Sequence, residues 1–417
     1  MRSIVPPSLW DRAWRPFWVL PLVISLACAL AGIFLPQAEQ PITEHLPFVF
    51  EGGPDGARTV LSTIASAMIS VTGLVFSITM VVLQLASSQF TPRVLSTFLA
   101  SRVTQTTLGV FTGTFIYALA VLRSVRGADA PFVPQLSVTL AFVLVLASVA
   151  MFLAFIHHIT TSIQVAQVIA RIGTAARRAV DDLYPEQPGS GPQVAWEAPT
   201  GTEPRWLDAR DRTGHVTHVD HEHLVTTAQA ADAVVEILVP IGEVVVERQP
   251  LARVWGLESD LATGELFDDV QAKESRSVAG SMAGDIGMAR ARSQDQDLAL
   301  SIRQLVDIAE RALSPGINDP TTAVQVIDQL HRILRLLVTR ETPSPCVVDE
   351  EGTVRVVQPV RSIGSLIDLS VEEICHYGTG SVQVPRRMEA MLTDLRRAAR
   401  PEQRERLDHW LGRLSAD

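Results

Sequence analysis

Four long apolar segments near the start of this chain restrict its possible folds more than any other sequence feature. They cover about residues 17–35, 60–86, 105–122 and 136–158. An α-helix needs roughly 20 residues to cross the ~30 Å hydrocarbon core of a bilayer, and each segment is close to that length. The sequence therefore predicts a four-helix transmembrane domain within residues 1–160.

The loops that connect these segments differ in charge, which predicts how the chain is oriented. Arginines precede the first segment and occupy the loop between the second and third: Arg2, Arg12, Arg15, Arg93 and Arg102. The loop between the first and second segments is instead acidic, with Glu39, Glu44, Glu51 and Asp55. Since basic residues concentrate on the cytoplasmic side of a membrane protein, we expect both termini in the cytoplasm and the protein in a bacterial inner membrane.

Beyond the fourth apolar segment, the sequence indicates a cytoplasmic α+β region in three parts. Residues 161–205 should extend the fourth helix and then form a Pro/Gly-rich linker. Residues 206–260 alternate apolar and polar positions between Pro and Gly breaks, which predicts a small β-rich module. Residues 261–417 should be mainly helical, with helices near 297–313, 321–338, 361–376 and 385–414 and a hairpin between Cys346 and Val357.

Composition and motifs argue against several functional classes. The net charge is −10 at pH 7, and the acidic excess falls in the C-terminal half, so we expect no nucleic-acid partner. The three cysteines are too widely spaced for a disulfide framework or a CxxC metal site. The chain also has no HExxH motif, no phosphate-binding loop and no Ser/His/Asp array. We therefore expect neither enzymatic activity nor a cofactor.

The second apolar segment carries a continuous seam of small and polar residues. With Met80 filling one gap, its members follow one another in steps of three and four: Thr63, Ser66, Ser70, Gly73, Ser77, Gln84 and Ser87. This spacing places them on one face of a helix. In hydrocarbon a polar side chain must face protein or water. The seam therefore either packs against another helix, as small-residue interfaces do, or lines a hydrated pore in an oligomer.

Four histidines form an HxxHxxHxH pattern beside Asp220 and Glu222; they are His215, His218, His221 and His223. Imidazole together with carboxylate suits zinc or nickel. The alternative is a surface turn or strand edge that is rich in histidine. On a strand, His221 and His223 would share one face and His218 would point the other way, so a single metal would require a bend.

The densest block of polar residues lies in and before two predicted helices, and includes Arg292, Gln296, Asp297, Arg303, Asn318 and Asp319. Pro315 and Gly316 should end the first helix. Asp319 can cap the second, with Pro320 at the first helical position, where proline is favoured. We interpret this block as structural: a tight corner between two helices, with an interhelical polar network around it.

The same block carries a family resemblance. The pattern RxxxQDxxLxIRQLVDIAxRALSPGINDPxTA, as residues 292–323, resembles a large bacterial family of predicted membrane proteins of unknown function. Residues 85–93, 115–117, 214–224 and 376–378 also resemble that family. The resemblance implies four membrane helices followed by a cytoplasmic domain, and it implies no activity. This chain has His215 and Thr217 where the family pattern has Tyr and Gln, which indicates that the histidine cluster is particular to this protein.

No acidic or strongly basic residue lies deep within any of the four apolar segments. Proton-coupled transporters usually need such a residue as a relay, so a passive membrane function is favoured. The leading hypothesis is a homo-oligomeric passive channel or pore-like assembly with a cytoplasmic regulatory domain and the bilayer as its surroundings. The alternative is a membrane-anchored sensor or scaffold that binds a cytoplasmic partner.

Overall fold

The computed structural model describes residues 17–39, 50, 52–89, 102–127, 132–162, 164–186, 195–256, 278–293 and 296–416, without the side chains of 85–89, 162 and 416. The chain divides into two compact units, a membrane unit within Pro7–Gln167 and a C-terminal unit from Val168 onward. The family-like stretch 85–93 falls outside the described side chains.

Four helices in the described part of the membrane unit are long and apolar enough to cross a bilayer. They are α1 (Val19–Ala38), α2 (Pro54–Gln89), α3 (Arg102–Ser124) and α4 (Gln135–Ser162). Their positions confirm the four predicted segments. Helix α2 has 36 residues, and at 1.5 Å per residue it is about 54 Å long, well beyond the ~30 Å hydrocarbon core.

Helix α3 lies at the centre of the membrane unit. Half of its most apolar 18-residue stretch is buried, against 11–17% for the other three helices. Two glycines let it approach α1 closely. A Cβ atom at Gly109 would lie 2.8 Å from Ile24 Cδ1, and one at Gly113 would lie 2.8 Å from Cys28 Sγ. Small residues four positions apart are a common means of close helix packing in membranes.

The C-terminal unit begins with a helix that is separate from the membrane helices. Helix α4 ends at Ser162 and α5 (Val165–Leu183) begins three residues later, so the predicted continuous extension of the fourth helix is wrong. Apolar residues of α5 such as Val168 and Ile172 are buried. Gly173 lies directly against the side chain of Gln329, where any larger residue would overlap it. The helix therefore belongs to the core of this unit.

Two sheets follow α5. A five-stranded sheet has the order β1 (Arg205–Asp208), β5 (Pro250–Trp255), β3 (Val234–Ile237), β8 (Val354–Val357), β7 (Cys346–Val348). A three-stranded sheet has the order β4 (Val244–Val245), β2 (Gly214–Val219), β6 (Ile286–Ala289). Helices α6 (His221–Ala230) and α7 (Val278–Gly284) complete this region. Leu224, Val235, Leu251, Met282 and Ile286 are buried together in its core.

The β structure extends well beyond the module predicted at 206–260. The hairpin of β7 and β8 was predicted and is confirmed, but β8 also pairs in parallel with β3, where Val235 faces Val356. Strand β6 and helix α7 lie in the part of the chain that was predicted to be mainly helical, before the first helix predicted there. A pairing between residues more than a hundred positions apart leaves no local periodic signal, which is why the predicted module was too small.

The rest of the C-terminal unit is helical. Helices α8 (Leu298–Leu313) and α9 (Pro320–Leu337) match the prediction closely. Helix α10 (Ile363–Gly378) also corresponds to a predicted helix. The single helix predicted at 385–414 is wrong, because the chain forms α11 (Gln383–Ala398) and α12 (Pro401–Ala416). Ala399 is extended, at φ −65° and ψ 142°, and Pro401 removes the N–H that a continuous helix would need.

Candidate functional site

The seam of α2 is exposed on the surface of the membrane unit. All six members whose side chains the structure describes are exposed: Thr63, Ser66, Ser70, Gly73, Ser77 and Gln84. Ser87 lies outside the described side chains. The opposite face of α2 is apolar and buried, with Leu61 and Val75 fully buried. The seam therefore takes no part in the packing of α2 within one membrane unit.

Three hydroxyl groups of the seam donate within their own helix. Thr63 Oγ1 donates to the Thr59 carbonyl at 2.7 Å, Ser70 Oγ to the Ser66 carbonyl at 2.9 Å, and Ser77 Oγ to the Gly73 carbonyl at 2.9 Å. A hydroxyl has one proton to donate and two lone pairs that accept. With the proton used inside the helix, lone pairs remain at the exposed face. Water, a cation or a donor from another chain can use them.

The first part of the polar block joins the start of α8 to β2. Asp297 is 3% exposed; its Oδ1 accepts from the Leu300 N–H at 3.0 Å as the cap of α8, and its Oδ2 accepts from Arg292 Nε at 2.7 Å. The Gln296 side chain accepts from the Val219 N–H at 3.0 Å and donates to the Val219 carbonyl at 3.4 Å. These contacts anchor α8 to the end of β2.

A tight turn completes this junction. Gly242 has φ +92°, and a Cβ atom there would lie 2.7 Å from Arg292 Nη2. The Gly242 N–H donates to the Val216 carbonyl at 2.8 Å. Only glycine adopts such a backbone without strain and leaves room for the guanidinium. Two stretches that carry the family resemblance, 214–224 and 292–297, therefore meet around one ion pair.

The corner between α8 and α9 has the predicted geometry. Asp319 caps α9, accepting from the Thr322 N–H at 3.1 Å and the Thr322 hydroxyl at 2.6 Å, and Pro320 is at the start of the helix. These hydrogen bonds hold the pKa of the Asp319 carboxyl below its usual range. Asn318 adopts a left-handed conformation at φ 49° and donates from its N–H to the Ser314 carbonyl at 2.9 Å.

Arg303 makes a third, separate set of contacts. It forms a bidentate ion pair with Glu373 of α10, with Nη2 3.0 Å from Oε1. The structure therefore distributes the six residues of the polar block over three places: the β2 junction, the α8–α10 contact and the α8–α9 corner. Sequence reasoning missed Glu373 and Glu310; Glu310 follows Arg303 by seven residues, which places both on one helix face.

The four histidines have different partners. His215 Nδ1 lies 3.0 Å from the Gly242 carbonyl, and His218 lies against Thr217 and Gly287. His221 Nε2 lies 2.6 Å from Gln358 Oε1, and His223 Nδ1 lies 2.9 Å from Asp285. Within the described residues, no group of three or more His, Cys, Asp or Glu could hold a metal ion.

His221 and His223 lie in the first turn of α6 rather than on a strand. Asp220 accepts from the His223 N–H and caps this helix. A helix begins here since Asp is a favoured cap residue. The hydrogen bond with Asp285 raises the pKa of His223 above its ordinary value.

A cavity of about 450 Å³ opens between α8, α10 and α12 in the C-terminal unit. Its lining includes Glu310, Glu372, Glu373, His376, Tyr377 and Trp410. Burial raises the pKa of Glu310 to about 7, and a hydrogen bond with Glu373 and the charge of that residue contribute further. His376 and Tyr377 belong to a stretch that carries the family resemblance, which the sequence alone did not connect to any site.

Four apolar helices followed by a unit of small sheets and helices define this chain as a membrane protein. It belongs to the family described as Predicted membrane protein (DUF2254), which it matches over residues 14–394.

Uncharacterized proteins of Mycobacterium bovis and of two strains of Mycobacterium tuberculosis are each 31% identical to it over 378 residues. Each alignment covers 89% of this chain and 70% of the mycobacterial protein. No solved structure matches the chain.

Proposed function

We propose that the chain forms a homo-oligomer around the seam of α2, and that this assembly is a passive channel or pore-like path through the bilayer. The observation that carries the proposal is the exposure of every described seam residue on the membrane unit. A polar stripe on a membrane helix is stable where it faces protein or water and costly where it faces lipid tails. A second copy of the chain provides such a partner.

The chemistry of the seam favours an axis that water enters. Serine and threonine oxygens with free lone pairs are weak ligands, as a path for passive conduction requires. Apolar residues flank the seam at about 80° on either side of its centre at 3.6 residues per turn. Leu74 is 51% exposed and Phe76 is 57% exposed. Leu74 and Phe76 can therefore contact lipid or the neighbouring subunit while the seam faces the central axis of the oligomer.

The arginine asymmetry of the loops supports cytoplasmic termini in a bacterial inner membrane. The C-terminal unit would then be a regulatory domain on the cytoplasmic side. The function proposed for the chain is conduction through the membrane rather than catalysis.

Cysteine accessibility tests the proposal directly. In full-length protein with Cys28, Cys346 and Cys375 replaced by Ala, single cysteines at the seam are treated in membranes with a water-soluble thiol reagent. Ser66→Cys, Ser70→Cys, Ser77→Cys and Gln84→Cys should react. The matched controls Leu74→Cys and Phe76→Cys are also exposed on the unit, but in the proposed assembly they face lipid or a neighbouring subunit, so they should remain unmodified, as should the buried Val75→Cys.

Leucine substitution separates a wet axis from a dry interface. Leucine is favourable in hydrocarbon, so Ser70→Leu and Ser77→Leu should reduce conduction in liposomes while the mass of the complex stays that of the wild-type oligomer. If the seam cysteines are unreactive and these variants also lose the oligomer, the seam is a dry interface. The proposed assembly then stands, and the proposed channel is ruled out. A wild-type complex with the mass of a monomer would overturn the whole proposal.

A further inference from the structure

The exposed face of α5 is basic over most of its length. Arg171, Arg177 and Arg178 are exposed, whereas Val168 and Ile172 are among the apolar residues of this helix that are buried. At 3.6 residues per turn, Arg171 and Arg178 lie within about 20° of each other around the helix axis, and Arg177 lies on the same outer half. Helix α5 therefore presents one side to the core of the C-terminal unit and a basic side outward.

Acidic groups leave this face with a net positive charge. No acidic residue occurs between Gln135 and Val180. Asp181 and Asp182 follow, and Asp181 is already engaged by Arg340, with Nη2 2.5 Å from Oδ1. Glu186 accepts from the same guanidinium at 3.2 Å. Within the described part of the chain, the three exposed arginines of α5 have no ion-pair partner.

The neighbouring helix α9 does not neutralise the basic face either. The two helices are adjacent, since a Cβ atom at Gly173 of α5 would overlap the side chain of Gln329. Arg332 comes one turn later on α9 and is exposed as well. The other charged groups of α9 are engaged with α11; they are Asp328, His331 and Arg335.

The chain itself keeps the start of α5 close to the bilayer. Helix α4 has 28 residues, about 42 Å, which matches the ~40–45 Å thickness of a bilayer with its headgroups. From its last residue, Ser162, the chain reaches Val165 over at most about 10 Å. Arg171 is six residues further, about 9 Å along the helix. The backbone of Arg171 is therefore within about 20 Å of the headgroup layer.

We propose that the basic face of α5 binds the anionic headgroups of phospholipids in the same bilayer, so that α5 lies along the membrane surface. A guanidinium donates two parallel N–H groups to one phosphate, which suits arginine to this contact. A second copy of the chain offers the same basic face, which would repel this one. The inference does not rest on the proposed channel, because a single copy of α5 is sufficient.

A fluorescent probe on this face tests the proposal. Thr174 is exposed between Arg171 and Arg178. Full-length protein with its three native cysteines replaced by alanine receives Thr174→Cys and a fluorophore at that position. It is reconstituted into vesicles of phosphatidylcholine alone or with phosphatidylglycerol, and some headgroups in each carry a nitroxide quencher. Quenching should require phosphatidylglycerol and should be lost in about 1 M salt, where the screening length falls to about 3 Å.

Charge substitutions identify the groups that bind. Each arginine near an anionic surface contributes roughly a fivefold gain in binding. In vesicles with phosphatidylglycerol, Arg171→Gln should lower the ratio of quenched to unquenched probe about fivefold, and the combination with Arg177→Gln and Arg178→Gln about a hundredfold. The matched control removes the same charge from three exposed arginines on other elements, and it should quench like wild type: Arg290→Gln, Arg386→Gln and Arg397→Gln.

Three results would overturn the proposal. The first is equal quenching in the two kinds of vesicle, which needs no arginine variant and therefore applies even if the triple variant fails to fold. The second is an equal loss of quenching in the two triple variants, which would make the effect one of overall charge. The third is a disulfide between two copies through Thr174→Cys in place of quenching, which would assign the face to a contact between copies.

Discussion

The Glu39 carboxylate at the end of α1 caps the first turn of α4 at Ser137. It accepts from the Ser137 N–H at 3.2 Å and from the Ser137 hydroxyl at 2.9 Å. Glu39 is 1% exposed. The Tyr117 hydroxyl of α3 donates to the Ser137 carbonyl at 3.0 Å, so three membrane helices meet at one residue. A free helix start that is buried needs such acceptors.

Glu39→Ala should therefore destabilise the membrane unit. It leaves buried N–H and hydroxyl donors without an acceptor, which costs roughly 1–3 kcal/mol. The control is Asp55→Ala, because the Asp55 side chain is fully exposed. Thermal unfolding in detergent should show a lower midpoint for Glu39→Ala alone. Equal midpoints for the two variants would mean that Glu39 is not a cap.

Gly242→Ala should lower the free energy of unfolding more than Gly201→Ala does. Both glycines have positive φ, +92° and +86°, but only Gly242 has side-chain atoms within reach of an added Cβ. The left-handed conformation costs a non-glycine residue roughly 1–2 kcal/mol at either position. Displacement of Arg292 and Asp297 adds to the cost at position 242. Chemical denaturation of the C-terminal unit measures both, and similar losses would contradict the β2 junction described above.

Asp297→Ala should lower the free energy of unfolding more than Asp319→Ala does. Asp297 is buried and pairs with Arg292, and loss of one partner of a buried pair costs roughly 3–5 kcal/mol. Asp319 caps an exposed corner, and loss of a cap costs about 1 kcal/mol. Unfolding in denaturant provides the comparison. If Asp297→Asn leaves the unfolding free energy intact but abolishes a measurable activity, the polar block is a functional site rather than a structural one.

The ion pair of His223 with Asp285 should stabilise the C-terminal unit only at lower pH. The pKa of His223 is raised by its hydrogen bond and by the charge of Asp285. The stabilisation is therefore complete below the ordinary value of 6.5 and is lost as the pH rises through the folded value. His223→Gln should remove this dependence, whereas the exposed His409→Gln should not. If stability depends on pH identically in wild type and His223→Gln, the ion pair of His223 with Asp285 does not stabilise the unit.

Reporter fusions test the proposed orientation. A reporter after Asp417 should be active on the cytoplasmic side, and one inserted between residues 37 and 58 should be active on the opposite side, because arginine is concentrated in the other loops. Activity of both reporters on one side would rule out four membrane crossings with cytoplasmic termini.

Features that depend on neighbours along the chain were predictable from the sequence. The four membrane helices follow from uninterrupted apolar length, since a helix that satisfies all its backbone groups is the stable form in hydrocarbon. The corner at Asp319 and Pro320 follows from capping, which involves residues three positions apart. The hairpin of β7 and β8 has the same local origin.

Features that depend on distant parts of the chain were decided by the tertiary structure. The parallel pairing of β3 with β8, the pair of Arg303 with Glu373 and the cap of Glu39 on α4 each join residues 70 or more positions apart. The sequence alone determined that α2 carries a polar seam, because helical periodicity is a local property. Only the tertiary structure decided that the seam is exposed, because burial depends on which face of α2 packs against α3 and α4.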